Sequence, residues 1–173
     1  TLGIVGGGQL ARMMIAPAVE LGIDVRVLAE EPGMSAALAE AATGDYRDLE
    51  TVRAFARGVD VVTFDHEHVP QEVLRALVAD GVAVHPGPDA LQFAQDKLRM
   101  RARLAELGAP QPEWAEVTDA AQLQAFLDAN GGRAVVKTPR GGYDGKGVRV
   151  VSHPDEVADW FGDGPLLAEE LVD

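Results

Sequence analysis

The chain has 173 residues, 47% of them hydrophobic and 25% charged, with 15 basic against 28 acidic side chains for a formal net charge of −13. This acidity argues against a nucleic-acid surface and against docking on anionic lipid, while leaving room for a small anionic ligand held by a few cations and backbone N–H groups. There is no cysteine, so thiol catalysis, disulfides and cysteine-ligated zinc are excluded. No apolar run approaches the roughly 20 residues of a membrane span. The opening residues lack a basic n-region, so no signal peptide and a cytoplasmic protein are expected.

Strand and helix signals alternate through the first half. Leu2 to Val5 is a short apolar run entering Gly6-Gly7-Gly8, which predicts a buried strand and a tight turn. Gln9 to Leu21 carries Leu10, Met13, Met14 and Leu21 at helical spacing, with Pro17 expected to kink or shorten the helix. Val25 to Ala29 predicts a strand, alanine-rich Met34 to Ala42 a weak helix, and Leu49, Val52, Phe55 and Ala56 another helix. Val59 to Phe64 predicts a strand, and Pro70 suits the start of a helix carrying Val73, Leu74, Leu77 and Val78. Val82 to His85 predicts a short strand. This order implies βαβ units and a mainly parallel sheet with helices on its faces.

The pattern changes after Pro86-Gly87-Pro88. One long helix is predicted from about Asp89 to Leu107, closed by Gly108 with Pro110 beyond. A strand near Trp114 to Val117 follows, then a helix capped at Thr118 with Leu123, Phe126 and Leu127 inward. Ala134 to Lys137 and Val148 to Ser152 predict two strands of an antiparallel hairpin around a glycine-rich loop. Val157 to Phe161 reads as a helix and Leu166 to Glu170 as a last strand. The expected organisation is a first domain over 1–88, a connecting helix over 89–108 and a second unit over 109–173. The chain stops directly after a strand, which reads as a cut through a larger protein.

Three motifs carry chemistry. Gly6-Gly7-Gly8-Gln9-Leu10-Ala11 fits G-x-G-x-x-A between strand and helix, where backbone N–H groups favour an anion, and Glu30 or Glu31 stands where a dinucleotide site needs an acid. Packing alone also explains such glycines. Asp65-His66-Glu67-His68 ends the Val59–Phe64 strand, where ligands of open α/β sheets collect. If the strand continues, Asp65 and Glu67 share one face and the histidines the other. Two histidines on one face still lack a third ligand for a metal, so a hydrogen-bonding substrate site is preferred to a metal site, and a solvated loop of polar residues is the bland alternative. Lys137-Thr138-Pro139-Arg140-Gly141-Gly142-Tyr143-Asp144-Gly145-Lys146-Gly147 is the most informative: four glycines in seven residues beside three cations can wrap N–H groups round phosphates. It lacks Walker A spacing. The bland alternative is a solvated hairpin tip.

Taken together, these segments resemble the ATP-grasp superfamily and, within it, the 5-(carboxyamino)imidazole ribonucleotide synthases. The carriers are Gly6-Gly7-Gly8-Gln9-Leu10, Gly44-Asp45-Tyr46, Val62-Thr63-Phe64 with Glu67, His85-Pro86, Gln95-Asp96-Lys97-Leu98, Lys137, and Arg140 through Gly147, whose Tyr143-Asp144 pair is the specific feature. The resemblance implies an α/β, Rossmann-like pre-ATP-grasp domain (a parallel sheet with flanking helices) followed by the first α+β ATP-grasp subdomain, truncated. It implies a reaction that joins ATP, bicarbonate and aminoimidazole ribonucleotide through carboxyphosphate. Lys97 and Lys137 are implied to contact ATP phosphates, and Gly142, Tyr143, Asp144, Gly145, Lys146, Gly147 and Val148 to close over the nucleotide. Glu169, Glu170, Leu171 and Val172 are implied to read the adenine edge and offer an acid to the ribose. Gln9, Leu10 and Glu67 are implied to face the ribonucleotide, joined by Tyr143, Asp144 and Lys146, the implied catalytic group. Magnesium, with ligands outside this chain, and a homodimer complete the picture.

Two residues depart from the family pattern: Ala11 stands where glycine is usual and Asp65 where glutamate is commoner. Members run to roughly twice this length, in keeping with a further domain of ordinary size, so the chain alone is expected not to catalyse. Three other readings remain: a sister ligase of the formate-dependent glycinamide ribonucleotide transformylase or biotin carboxylase type, which Tyr143-Asp144 argues against; a dinucleotide-binding domain using Gly6, Gly8 and Glu30; and a non-catalytic nucleotide-binding module.

Overall fold

The computed structural model describes residues 1–142 and 145–172, and the chain divides into two units, Thr1–Gln92 and Phe93–Asp173. The first is built on β1 (Leu2–Val5), β2 (Val25–Ala29), β3 (Glu40–Thr43) and β4 (Val61–Phe64), in the order β3-β2-β1-β4 and all parallel. Helix α1 (Gln9–Glu20) connects β1 to β2, α2 (Leu49–Ala56) connects β3 to β4, and α3 (Gln71–Ala79) follows β4. Side chains alternate across β1, so Val5 joins Leu28, Val62, Val52, Leu74 and Leu77 in one core while Ile4 joins Val27, Ala29 and Ala11 in another. Burial on both faces explains why β1 reads as a continuous apolar run.

Three expectations for this unit are revised. Met34 to Ala42 is not a helix: a 3-10 turn at Ala37–Ala39 leads into the edge strand β3, because pairing of Glu40, Ala42 and Thr43 with β2 outweighs the weak helical preference of alanine. Val82 to His85 makes one isolated parallel bridge, Val62↔Val84, and no full strand. Helix α1 runs on through Pro17 to Glu20, since the proline falls near its end and few later bonds depend on it.

The division between units falls within α4 (Pro88–Gln95), which is followed by α5 (Lys97–Glu106). The single helix expected from Asp89 to Leu107 is therefore broken. At Asp96 the backbone is extended (φ −140°, ψ 109°), and its carboxylate caps α5 by accepting from Leu98 N at 3.1 Å and Arg99 N at 3.2 Å. The second unit is an antiparallel sheet of β5 (Trp114–Val117), β6 (Ala134–Lys137), β7 (Val148–Val151) and β8 (Leu166–Glu170), in the order β5-β8-β6-β7. Helix α6 (Ala120–Ala129) covers one face, packing Leu123, Phe126 and Leu127 against Val117, Val136 and Ala168. Its cap is Asp119 rather than Thr118, whose N–H instead donates to Gln122 Oε1. The helix expected at Val157 to Phe161 is a 3-10 segment, Pro154–Trp160, kept irregular by the non-helical backbone of Val157.

The hairpin expected around the glycine loop is present, with Lys137 opposite Val148. Among the described residues no helix is long and apolar enough to cross a membrane. Leu123 is fully buried at the centre of the second core. Leu123→Ala is expected to destabilise that unit by about 2–5 kcal/mol, read from urea unfolding, with the far-UV spectrum of the folded state unchanged.

Candidate functional site

In the first unit the β1–α1 turn and the loop after β4 meet outside the carboxyl ends of neighbouring strands, at the point where strand order reverses. The glycine cradle there is occupied by the chain's own carboxylates. Gly7 N–H donates to Glu30 Oε2 at 3.1 Å, and Ala11 N–H in the first turn of α1 donates to Asp65 Oδ1 at 2.8 Å. The space a side chain would need at Gly8 is filled by the Asp65 carboxylate. A pyrophosphate at this turn would meet two like charges, so Glu30 here closes the loop and the dinucleotide reading loses its acid.

The strand does not continue past Phe64, so the alternation expected for residues 65 to 68 is absent. Asp65 turns to α1, while His66 Nε2 lies 3.1 Å from Glu30 Oε1 and its ring packs at a tilt against Tyr46, with centroids 4.5 Å apart. His68 N–H donates to His66 Nδ1, which assigns the Nε2–H tautomer to a neutral His66 and makes Glu30 its acceptor. Glu67 is largely buried, with His68 Nε2 at 3.7 Å, and Gln9 and Leu10 are exposed at the start of α1. Burial pushes the Glu30 carboxyl up, but the N–H groups of Gly7 and Glu30 and the His66 ring pull it down further, leaving it below the ordinary carboxylate range.

In the second unit the glycine loop is tied down at its base. Thr138 N–H donates to Gly147 O at 3.0 Å. Lys97 N–H donates to Pro139 O at 2.9 Å, and Lys97 Nζ donates to Thr138 O at 3.2 Å and Gly141 O at 2.8 Å. Arg140 Nη2 reaches Asp96 Oδ2 at 3.2 Å. Across the loop Gly142 and Gly147 touch back to back: a Cβ on Gly147 would stand 2.5 Å from the Gly142 Cα. Lys146 is exposed and borders a cleft of about 540 Å³, also lined by Asp96, Leu98, Thr138, Arg140 and Trp160. The expectations on Tyr143 and Asp144 lie outside the described residues.

Lys137 and Glu169 are not among the residues that line that cleft. Val135 pairs with Glu169 and Lys137 with Leu167, so Lys137 and Glu169 are diagonal neighbours on the sheet face opposite α6. Lys137 Nζ contacts Glu169 Oε2, and Arg101 Nε on α5 contacts Glu169 Oε1. Glu169, 3% exposed, is the one charged residue buried among the described residues. Its carboxylate is thus held by two cations. Glu170 is exposed, its N–H donating to Glu113 O at 2.8 Å. Leu171 and Val172 follow β8, with Val172 largely exposed, and Val148 opens β7. Among the described residues no group of three or more His, Asp or Glu side chains is placed to hold a metal ion.

Residues 1–95 match the family model described as the ribonucleotide synthetase preATP-grasp domain. The chain belongs to this family. Residues 102–173 match the ATP-grasp domain model, so the pre-ATP-grasp and ATP-grasp folds expected from the motifs are both present. The family member from Mycobacterium leprae named N5-carboxyaminoimidazole ribonucleotide synthase is 48% identical over 98% of this chain and 42% of its own length. Among solved structures, an ADP complex of an N5-carboxyaminoimidazole ribonucleotide synthetase matches with a TM-score of 0.88 at 28% identity, over 99% of this chain and 46% of that one. The Aspergillus clavatus synthase in complex with ADP and 5-aminoimidazole ribonucleotide matches with a TM-score of 0.82 at 30% identity, over 99% of this chain and 46% of that one. The chain thus spans a little under half the length of these relatives.

Sequence reasoning missed Asp96 and Asp65 as structural partners of the loops and Arg101 as a partner of Glu169 in β8. An acid just before a helix is a cap signal, and Arg101 lies one helical turn from Lys97, but neither spacing names the partner. Two outcomes are expected. The stabilisation from Glu30 is present above the ordinary carboxyl value of 4.5 and is lost as pH falls through the lowered one. Glu30→Gln should remove that pH dependence, read from urea unfolding as pH is lowered through and below 4.5. Gly147→Ala should cost about 1–3 kcal/mol because backbone must move, while Gly145→Ala, whose Cβ meets no atom within 4 Å among the described residues, should cost only about 1 kcal/mol of left-handed strain.

Proposed function

We propose that this chain is the ATP- and ribonucleotide-binding part of an ATP-dependent ligase that carboxylates 5-aminoimidazole ribonucleotide. ATP phosphorylates bicarbonate to carboxyphosphate and releases ADP. The exocyclic amine of the ribonucleotide then attacks the carboxyl carbon, phosphate leaves, and the amine loses a proton to give the N5-carboxylated product. The observation that carries this reading is the 48% identity to a named N5-carboxyaminoimidazole ribonucleotide synthase over 98% of this chain, which takes in both units. The complexes of similar structures with ADP and with 5-aminoimidazole ribonucleotide support the same two ligands here.

The residue chemistry agrees with it. Phosphoryl transfer needs positioning and charge neutralisation more than covalent work. In this reading Lys97 and Lys137 neutralise ATP phosphates, Gly142, Gly145, Gly147 and Val148 cover them, and Glu169 through Val172 offer backbone to the adenine. Exposed Glu170 is the acid left for the ribose, since the Glu169 carboxylate is held by two cations. Gln9, Leu10 and Glu67 contact the ribonucleotide, as do Tyr143, Asp144 and Lys146, which hold it at the reacting end. A closed loop that keeps water out would protect carboxyphosphate from hydrolysis. The reading also takes residues 89–108 as connector between a 1–88 domain and a 109–173 subdomain. It places magnesium ligands in the part of the relatives that this chain does not span, and takes the full protein as a cytoplasmic homodimer.

ADP release by the full-length protein is the test. Release should require both 5-aminoimidazole ribonucleotide and bicarbonate, at a turnover on the order of 1–1,000 per second. Stimulation by glycinamide ribonucleotide with formate, or by biotin, in place of 5-aminoimidazole ribonucleotide would replace this reading with that of a sister ligase.

A further inference from the structure

Arg101 has no part in the function proposed above, yet it makes one of the two contacts to the buried charge of the second unit. Two cations hold Glu169, and a third, Lys97, lies on the helix that supplies one of them. Lys97 and Arg101 lie one turn apart on the same face of α5, and Lys137 comes from β6. Glu169 divides its carboxylate between two of them, Oε1 to Arg101 Nε and Oε2 to Lys137 Nζ. Arg101 is itself largely buried, with 16% of its side chain exposed, and Lys137 is more open at 28%.

The charge count shows what this arrangement does. Arg101, Lys137 and Glu169 together carry one net positive charge, exposed at the Lys137 end. Without Arg101 the same carboxylate would be balanced by Lys137 alone, and the pair would be neutral. A guanidinium holds its charge at any ordinary pH and presents its N–H groups in a fixed fork, so it suits a permanent counter-ion. Lys137 has a flexible stem and three donors, which suits a group that must turn towards a phosphate.

We propose that Arg101 is a positioning residue for nucleotide binding: it takes up the charge of Glu169 so that the Lys137 ammonium is left to an anionic ligand of the polyphosphate class. Arg101 touches no ligand itself and acts through Glu169. The inference rests on the reading of this unit as an ATP site and adds to it why the lysine is usable while sitting against a carboxylate.

The test compares Arg101→Met, Arg101→Lys and the double variant Arg101→Met with Glu169→Gln in the full-length protein. ATP affinity is measured by titration calorimetry, and KM and kcat by ADP release. Arg101→Met should raise the dissociation constant and KM for ATP about tenfold with kcat within about twofold, the signature of lost ground-state binding. Arg101→Lys restores the charge and should recover most of the affinity. The double variant restores the net charge of plus one without Arg101, and should return to within about threefold of the wild type. Because it leaves no unpaired buried carboxylate, it also serves if Arg101→Met fails to fold. Unchanged ATP binding in Arg101→Met, or a folded double variant that binds as poorly as the single, would overturn the inference. ATP binding that follows the expected pattern without any stimulation by 5-aminoimidazole ribonucleotide would support the role of Arg101 and sink the carboxylation reading. A wild type that binds no ATP would overturn both.

Discussion

Glu169 can be buried only because two cations reach it from different elements. An ionised carboxylate taken from water without partners is too costly to keep, and removing one partner of a buried pair typically costs about 3–5 kcal/mol. Much of the second unit follows from meeting that demand. The period-two alternation of β6 and β8 puts Lys137 and Glu169 on the face away from α6, while Val136 and Ala168 fill the core beneath. The extended backbone at Asp96 restarts the helix, and that restart sets the phase of α5 so that Arg101 meets Glu169 one turn after Lys97 meets the loop. One short helix thus ties the sheet face and the glycine loop to each other.

The first unit answers a different constraint. Parallel strands bring every β–α turn to one end of the sheet, where helix N-termini and unpaired N–H groups accumulate. Two of those groups are met by Glu30 and Asp65, from the ends of the strands on either side of β1. The cradle is thereby made rigid and acidic at its base. In the proposed reading, a ligand of this crevice is met by the side chains of Gln9, Leu10 and Glu67 more than by the cradle N–H groups that a dinucleotide would use.

Much of this was legible in the sequence. β1, β2 and β8 fall at the expected residues, because short apolar runs bounded by glycine and polar residues leave few alternatives. The failures have physical causes. β3 is alanine-rich and finds its place only by pairing with β2, and no local preference encodes that pairing. The break at Asp96 was hidden by apolar spacing that continues across it, although Asp96 carries the cap signal. The glycine loop could be read as a candidate anion site from composition alone. What tunes its neighbour Lys137 could not, since Arg101, Lys137 and Glu169 lie far apart in the chain and meet only through sheet register and helix phase.

The contact between Gly142 and Gly147 has a consequence for how this loop can vary. Each glycine occupies the space that the other's side chain would need, and both surfaces in contact are backbone. A clash between two side chains can be relieved by shrinking one of them. Here there is nothing left to shrink, so no second substitution at the opposite position can rescue a first. In a library varied at both positions, tolerated sequences should therefore collapse onto the glycine pair itself, with suppressors arising only from changes that open the loop base at Thr138.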